Sequence, residues 1–197
     1  MIRTFSPFAA PDPFDRRALE RAQVERLRLG NETEFEALFH AHYSALVAFG
    51  TRFTGSSHTA EEIVQSVFVD LWTERQRLQV HTSLRAYLYA ATRNRALDNQ
   101  KHERVEERWA EESNAEEGTT GQRDAQRSLE AQETADALHA AIAALPERAR
   151  LIVTLRWLRG LRPPEIAEAL GISVKGVEIQ ITRALKALRV HMEKQGA

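Results

Sequence analysis

The sequence predicts an all-α protein: two small helical domains, a helical bundle and then a helix-turn-helix, joined by a flexible acidic linker. Three observations point there. Apolar residues recur at three- and four-residue steps along most of the chain and nowhere alternate with period two. Large apolar residues thin out over 104–133, where acids collect: 105–133 holds nine acids against three bases. Near the C-terminus two helical patterns flank the tripeptide Gly171-Ile172-Ser173. The expected division is an N-terminal extension over 1–30, a bundle over 31–103, the linker over 104–133 and the helix-turn-helix domain over 134–192.

The elements follow in chain order. Residues 1–18, rich in Pro, Phe and Ala, read as a mobile tail, and 19–30 as a weak helix ended by Gly30. From Glu32 the helical pattern is strong, with Phe35, Leu38, Phe39, Tyr43, Leu46 and Val47 in step. Gly55-Ser56-Ser57 breaks it. Thr59 and Glu62 have the spacing of a capping box, in which a hydroxyl and a carboxylate each satisfy a free amide at a helix start. The next helix carries Ile63, Val64, Val67, Phe68, Leu71 and Trp72, a double stripe wide enough for the centre of a core. After a loop at Gln79–Ser83 comes a helix with Leu84, Tyr87, Leu88 and Ala91 inward. The run Glu116-Glu117-Gly118-Thr119-Thr120-Gly121 lies in the acidic linker, too poor in apolar residues to offset the entropy of ordering it. Beyond it, Leu138, Ala141, Ile142 and Leu145 form a helix that stops before Pro146, and Ala149, Ile152, Val153 and Leu155 form another.

The last segment carries the sharpest local pattern. Pro163-Pro164 opens a short helix, since proline's missing amide costs nothing at a helix start. That helix is expected to bury Ile166, Ala167 and Leu170 and to expose Glu165 and Glu168. Gly171 suits the left-handed conformation past a helix end, Ile172 plugs the core, and Ser173 caps the next helix. The final helix is expected to bury Val174, Val177, Ile181, Ala184 and Leu188. A helix, a glycine turn and a longer helix make a helix-turn-helix, whose second helix fits the major groove of B-DNA. Ser173, Lys175, Gly176, Glu178, Ile179, Thr182, Arg183 and Lys186 lie at its start or off its buried stripe and are the candidate DNA-facing residues.

Charge supports this reading. The net formal charge of −1 hides alternating blocks: net −4 over 31–82, +3 over 83–104, −6 over 105–133 and +5 over 146–197. Two basic blocks separated by an acidic one offer two docking places for a polyanion. The chain has no cysteine, which excludes disulfides, thiolate catalysis and cysteine-based zinc sites. No apolar run approaches the ~20 residues of a membrane helix, and Met1–Asp15 lacks the apolar stretch of a secretory signal, so no membrane insertion and a cytoplasmic location are expected. The seven histidines form no His-x-x-x-His or His-Glu-x-x-His pair, and no glycine-rich phosphate loop is present. Neither an enzyme nor a cofactor or metal site is expected.

Three stretches of the first domain resemble region 2 of bacterial sigma factors: Phe35 to Tyr43 (FEALFHAHY), Ala60 to Trp72 (AEEIVQSVFVDLW) and Leu84 to Asp98 (LRAYLYAATRNRALD). Leu145 to Arg150 (LPERAR) and the helix-turn-helix resemble region 4. Their order, with little between them, resembles the extracytoplasmic-function (ECF) type of the sigma-70 family. The resemblance implies a transcription initiation factor that binds core RNA polymerase and directs it to promoters. It implies contact with the clamp of the largest polymerase subunit through Glu61, Glu62, Gln65, Phe68 and Asp70, and with the flap of the second-largest subunit. It implies opening and reading of the −10 element by Val80, His81, Thr82 and Ser83, where a flipped base is cradled, with Arg85, Arg93, Asn94, Asp98 and Lys101. It assigns the −35 element to the residues of the final helix named above, and it implies an anti-sigma factor as a further partner. Tyr89 would supply a ring to the −10 strand, while Tyr87 lies on the apolar stripe. Where relatives carry Thr and Lys-Ser-Arg, this chain has Gly176 and Glu178-Ile179-Gln180, so their preferred −35 sequence does not transfer. The alternative is a different helix-turn-helix regulator, with residues 31–103 as a sensor or dimerisation module; it predicts a dimer that binds a palindrome unaided.

Overall fold

The structure, a computed structural model, describes residues 13–110 and 141–195, with side-chain burial for 18–101 and 141–190. The described elements are α1 (Pro13–Arg28), α2 (Glu32–Thr54), α3 (Ser57–Thr73), a 3-10 turn (Arg75–Arg77), α4 (Leu84–Ala110), α5 (Glu147–Val153) continued by a π turn (Thr154–Leu158), α6 (Pro163–Leu170) and α7 (Val174–Gln195). Residues 141–143, ahead of Pro146, are also helical, and no strand occurs among the described residues. Residues 1–12 of the expected tail, 111–133 of the expected linker and Leu138 of the helix expected after it lie outside the described residues.

Helices α2, α3 and α4 form the first bundle. Leu38, Leu46, Phe49, Val64, Val67, Phe68, Leu71, Leu84 and Leu88 meet in its core. Aromatic edges lock α2 to α3: Phe68 lies between Phe35 (6.0 Å) and Phe39 (4.9 Å), and Phe35 also meets Trp72 (4.9 Å). Gly50 lets the three helices approach closely. A Cβ there would sit 3.3 Å from the Ala60 Cβ and 3.4 Å from a Thr92 methyl. Helix α1 closes one side with Val24 and Leu27. It is pinned by Arg26 Nε on Glu34 (2.6 Å) and by Arg28 Nη2 donating to the Leu78 carbonyl (2.7 Å).

In the second domain Leu145, Ala149, Val153 and Ala184 form a small core of their own. The remaining apolar residues join the first bundle. Ile152, Leu155, Leu161, Ile166, Leu170 and Val177 are contiguous with the core that holds Phe49, Leu88 and Tyr89. The two domains are therefore packed on each other, α6 against α4.

Several expectations are corrected. Helix α1 begins at Pro13, inside the stretch expected to be a tail, because proline's fixed φ and missing amide suit a helix start. Helix α4 runs to Ala110, beyond the expected domain edge at 103. The cap of α3 is Ser56, whose Oγ accepts from the Thr59 amide at 3.2 Å, and Glu62 pairs instead with His58 (3.5 Å). Tyr89, expected to be a stacking ring, is buried with its edge to Phe49 (4.9 Å), while Tyr87 is only half-buried. Val174 is exposed, because it sits in the first turn beyond the reach of α6. Glu165, expected in water, is fully buried.

Helix α3 gives a first prediction. Ser56→Ala should lower the unfolding free energy by about 1 kcal/mol, because one helix-start amide loses its acceptor. Glu62→Ala should change it by less than about 0.5 kcal/mol, as at an ordinary surface position. Urea denaturation of both variants checks this, and the reverse order would restore the Thr59–Glu62 box.

Candidate nucleic-acid interface

The helix-turn-helix is built from α6, Gly171 and α7. Gly171 sits at φ 59°, where an L side chain is strained. Its amide bonds back to the Glu168 carbonyl, and that of Ile172 bonds to Ala167, closing the end of α6. Ser173 Oγ accepts from the Gly176 amide (3.1 Å), starting α7 as expected. Val177 and Ala184 face the core, with Ile181 and Leu188 partly covered. The candidate −35 residues Ser173, Lys175, Glu178, Ile179, Thr182, Arg183 and Lys186 are all exposed, and Gly176 is half-exposed. Thr182 donates its hydroxyl to the Glu178 carbonyl (2.9 Å). Arg183 and Lys186 also border an apolar groove lined by Ala141, Leu145 and Val190. The geometry brings this set together on one exposed helix face that carries both charged and uncharged groups.

On α3, Glu62 and Gln65 are exposed on the side opposite Ile63, Val64 and Val67, while half-exposed Glu61 and exposed Asp70 lie on the flanks of that side, Asp70 toward α4. Gln65 reaches Tyr43 Oη (3.5 Å), and Asp70 is paired with Arg95 (2.5 Å). Phe68 does not belong to that surface. It is buried among Phe35 and Phe39, because it occupies the centre of the double apolar stripe.

The candidate −10 residues divide into two groups. His81, Asn94, Asp98 and Lys101 are exposed, with Lys101 on Asp98 (2.9 Å). Val80 and Thr82 are half-exposed and border a cleft of about 720 Å³ between their loop and α1, shared with His81, Arg21 and Arg28. Ser83, Arg85 and Arg93 meet the second domain instead. Ser83 is buried as the cap of α4, its Oγ accepting from the Ala86 amide (3.1 Å). Arg85 donates to the carbonyls of Arg159 and Gly160 (3.0 Å each) and touches the Glu165 carboxylate (3.4 Å). Arg93 bonds Asn94 Oδ1 (3.0 Å) and lies over Gly171, where a Cβ would come within 2.7 Å of its Nη1.

Glu165 is the centre of this arrangement and was not among the sequence candidates. Its Oε2 accepts from the Arg162 backbone amide (2.6 Å) and from Arg162 Nε (3.2 Å). Burial pushes its pKa up. The hydrogen bonds from Arg162 and Ser83 and the charge of Arg85 outweigh that and hold it at about 2, so it is an anion at neutral pH. The signal available in the sequence was Arg162 three residues ahead of Glu165, a helix-start pair. Nearby His42 is shifted down by burial and by Arg85, which favours its neutral form. No group of His, Asp and Glu suited to a metal ion occurs among the described residues. None of the described helices is long and apolar enough to cross a membrane.

Comparison with known proteins agrees with the geometry. Residues 38–105 match the family model for sigma-70 region 2, and residues 135–188 that for sigma-70 region 4. The ECF RNA polymerase sigma factor SigL of Mycobacterium tuberculosis is 27% identical over 89% of this chain and 98% of its own length. The ECF RNA polymerase sigma factor SigW of Bacillus subtilis is 24% identical over 86% of this chain and 94% of its own. Among solved structures, CnrH in complex with the cytosolic domain of CnrY superposes with a TM-score of 0.54 at 22% identity, covering 89% of this chain and 97% of that one. The sigma factor RpoE of Bartonella quintana, in complex with the anti-sigma factor NepR, gives 0.56 at 20% identity, covering 81% and 97%. With both regions matched in order, and with curated relatives of this kind aligned along nearly their full length, the chain belongs to the sigma-70 family and is of its ECF type.

Proposed function

We propose that this chain is a transcription initiation factor that binds core RNA polymerase and directs it to promoters, reading −35 duplex with α7 and −10 strand with the loop at 80–83 and the exposed side of α4. The observation that carries this is the free face of α7. Lys175, Glu178, Arg183 and Lys186 stand in water off a buried stripe, in a helix that follows a capped glycine turn. The wet side of α3, with Glu61, Glu62, Gln65 and Asp70, is the surface we assign to the polymerase clamp. Region 4 is assigned to the flap of the second-largest subunit. An anti-sigma factor is a further partner, supported by the two structural neighbours, both solved as complexes. The work of such a factor is cytoplasmic and non-catalytic, since it positions the polymerase and leaves the chemistry to it.

The test is transcription by core polymerase reconstituted with the full chain on a promoter library, with the 5′ ends of the transcripts sequenced. The chain should select a defined set of starts. Glu178→Ala should relax choice at one −35 position by about 1–3 kcal/mol and leave −10 choice alone. Asn94→Ala should impair opening or −10 choice and leave the −35 profile intact. Inverted effects would overturn the module assignment, and the absence of chain-dependent starts would overturn the function.

A further inference from the structure

We propose that α1 belongs to the −10 reader: with the loop at 80–83 it forms the cleft that receives one unpaired base, Arg28 setting the position of the loop and Arg21 holding the backbone phosphate of that nucleotide. This rests on the −10 assignment made above. Helix α1 lies outside residues 38–105, the stretch matched to region 2. Its place beside the loop is fixed on both sides. Val24 and Leu27 sit in the core of the bundle, and Gln23 (2.9 Å) and Arg26 (2.6 Å) both hold Glu34 of α2. Arg28 Nη2 donates to the Leu78 carbonyl (2.7 Å), so the chain enters the loop from a point tied to α1.

The cleft between helix and loop, about 720 Å³, falls within the ~300–1,000 Å³ usual for sites that enclose a small ligand, and a single base needs no more. Val24 and Val80 give apolar surface for the flat of a ring, while His81 and Thr82 give polar groups for its edge. Arg21 is exposed at the same cleft and has no hydrogen bond or ion pair among the described residues. A guanidinium so placed offers all its donors to an incoming phosphate. The two carboxylates at the cleft each lie near another guanidinium, Glu25 at 3.5 Å from Arg28 and Glu20 at 3.8 Å from Arg162. Arg162 and Pro164 also border the cleft, but the groups assigned to the nucleotide all belong to α1 and the loop, within the first domain.

The test uses holoenzyme reconstituted from core polymerase and the full chain, on a promoter selected in the library above and left unpaired across its −10 element. Arg21→Ala should weaken binding of this DNA roughly three- to tenfold and flatten its salt dependence by about 0.7 unit, the share of one phosphate contact on a single strand. Arg28→Gln should relax choice at one −10 position on the order of tenfold. Arg28→Lys should restore part of that choice, because a lysine still donates to the Leu78 carbonyl. All three should leave the −35 profile unchanged. Arg26→Ala is the control: it lies on the same helix and loses its bond to Glu34, but it does not border the cleft, so neither readout should move. Circular dichroism and thermal melting check the folds, and Arg21→Ala, at an exposed position, decides alone if Arg28→Gln is unstable. Unchanged affinity and salt dependence in Arg21→Ala would overturn the proposal, as would an equal loss in Arg26→Ala. If Asn94→Ala impairs −10 choice while the α1 variants do not, the role of α1 falls and the −10 assignment stands. If Asn94→Ala is silent as well, the assignment falls and the proposal with it.

Discussion

Phe68→Ala is expected to lower the unfolding free energy by about 3–5 kcal/mol, as removal of a large buried ring does when its surroundings collapse only in part. The side chain is about 2% exposed and touches rings on α2 from both sides, so truncation leaves a void between α2 and α3. Gln65→Ala, one turn earlier on the exposed side, should change stability by less than about 0.5 kcal/mol. The pair separates two roles that the family pattern alone runs together. Loss of polymerase affinity in Phe68→Ala would follow from a damaged bundle. Loss in Gln65→Ala, at unchanged stability, would be loss of contact. Denaturant titration of both variants, with core binding measured in parallel, checks this. A fully stable Phe68→Ala would mean that the ring is not in the core.

The second large effect concerns Glu165 and pH. Its folded-state pKa is about 2, against the ordinary 4.5. A depressed carboxylate pKa adds stability that is fully present above pH about 4.5 and is lost as pH falls toward about 2. A shift of that size corresponds to about 3 kcal/mol at neutral pH, as an upper figure for so enclosed a group. The groups that face it are Arg162 on its own helix start and Ser83 and Arg85 from α4, with His42 and Glu20 bordering the same space. Glu165→Gln should therefore be less stable than the native chain by up to about 3 kcal/mol at pH 7. That gap should narrow between pH 4.5 and 2 as the native carboxyl gains its own proton. Comparing the two chains at each pH cancels the other titrating groups, among them Glu34, whose bond from Arg26 also holds its pKa low. A gap that does not change with pH would show that Glu165 is not stabilised as an anion.

How much of this was legible in advance depends on what each residue's neighbours are. Local signals were sufficient where the partner lies within a turn or two. The apolar steps of α2 and α3, the left-handed Gly171 and the Ser173 cap all depend on nearby backbone, and the family pattern follows from their order. The exposed face of α7 was legible for the same reason, since only one narrow stripe of that helix is buried. Helices buried on several sides defeat the same reasoning. α4 packs against α2, α3 and α6, so Leu84, Ala86, Leu88, Tyr89, Thr92 and Ala96 are all buried, and one stripe does not describe it. Periodicity therefore placed Tyr89 on the wet side.

Glu165 is the clearest case. Helical periodicity assigns a carboxylate to solvent, because burying a lone charge is costly. What makes this one tolerable is first the local Arg162, through its backbone amide and guanidinium, and then Ser83 and Arg85, about 80 positions earlier in the chain and brought alongside only when α6 docks on α4. By itself the sequence determined the helices, their caps and turns, and the two domains that carry the family pattern. Which faces of those domains meet, and hence that Arg85 and Arg93 contact protein rather than solvent, was decided by tertiary packing, because complementarity between surfaces distant in sequence leaves no local periodic trace.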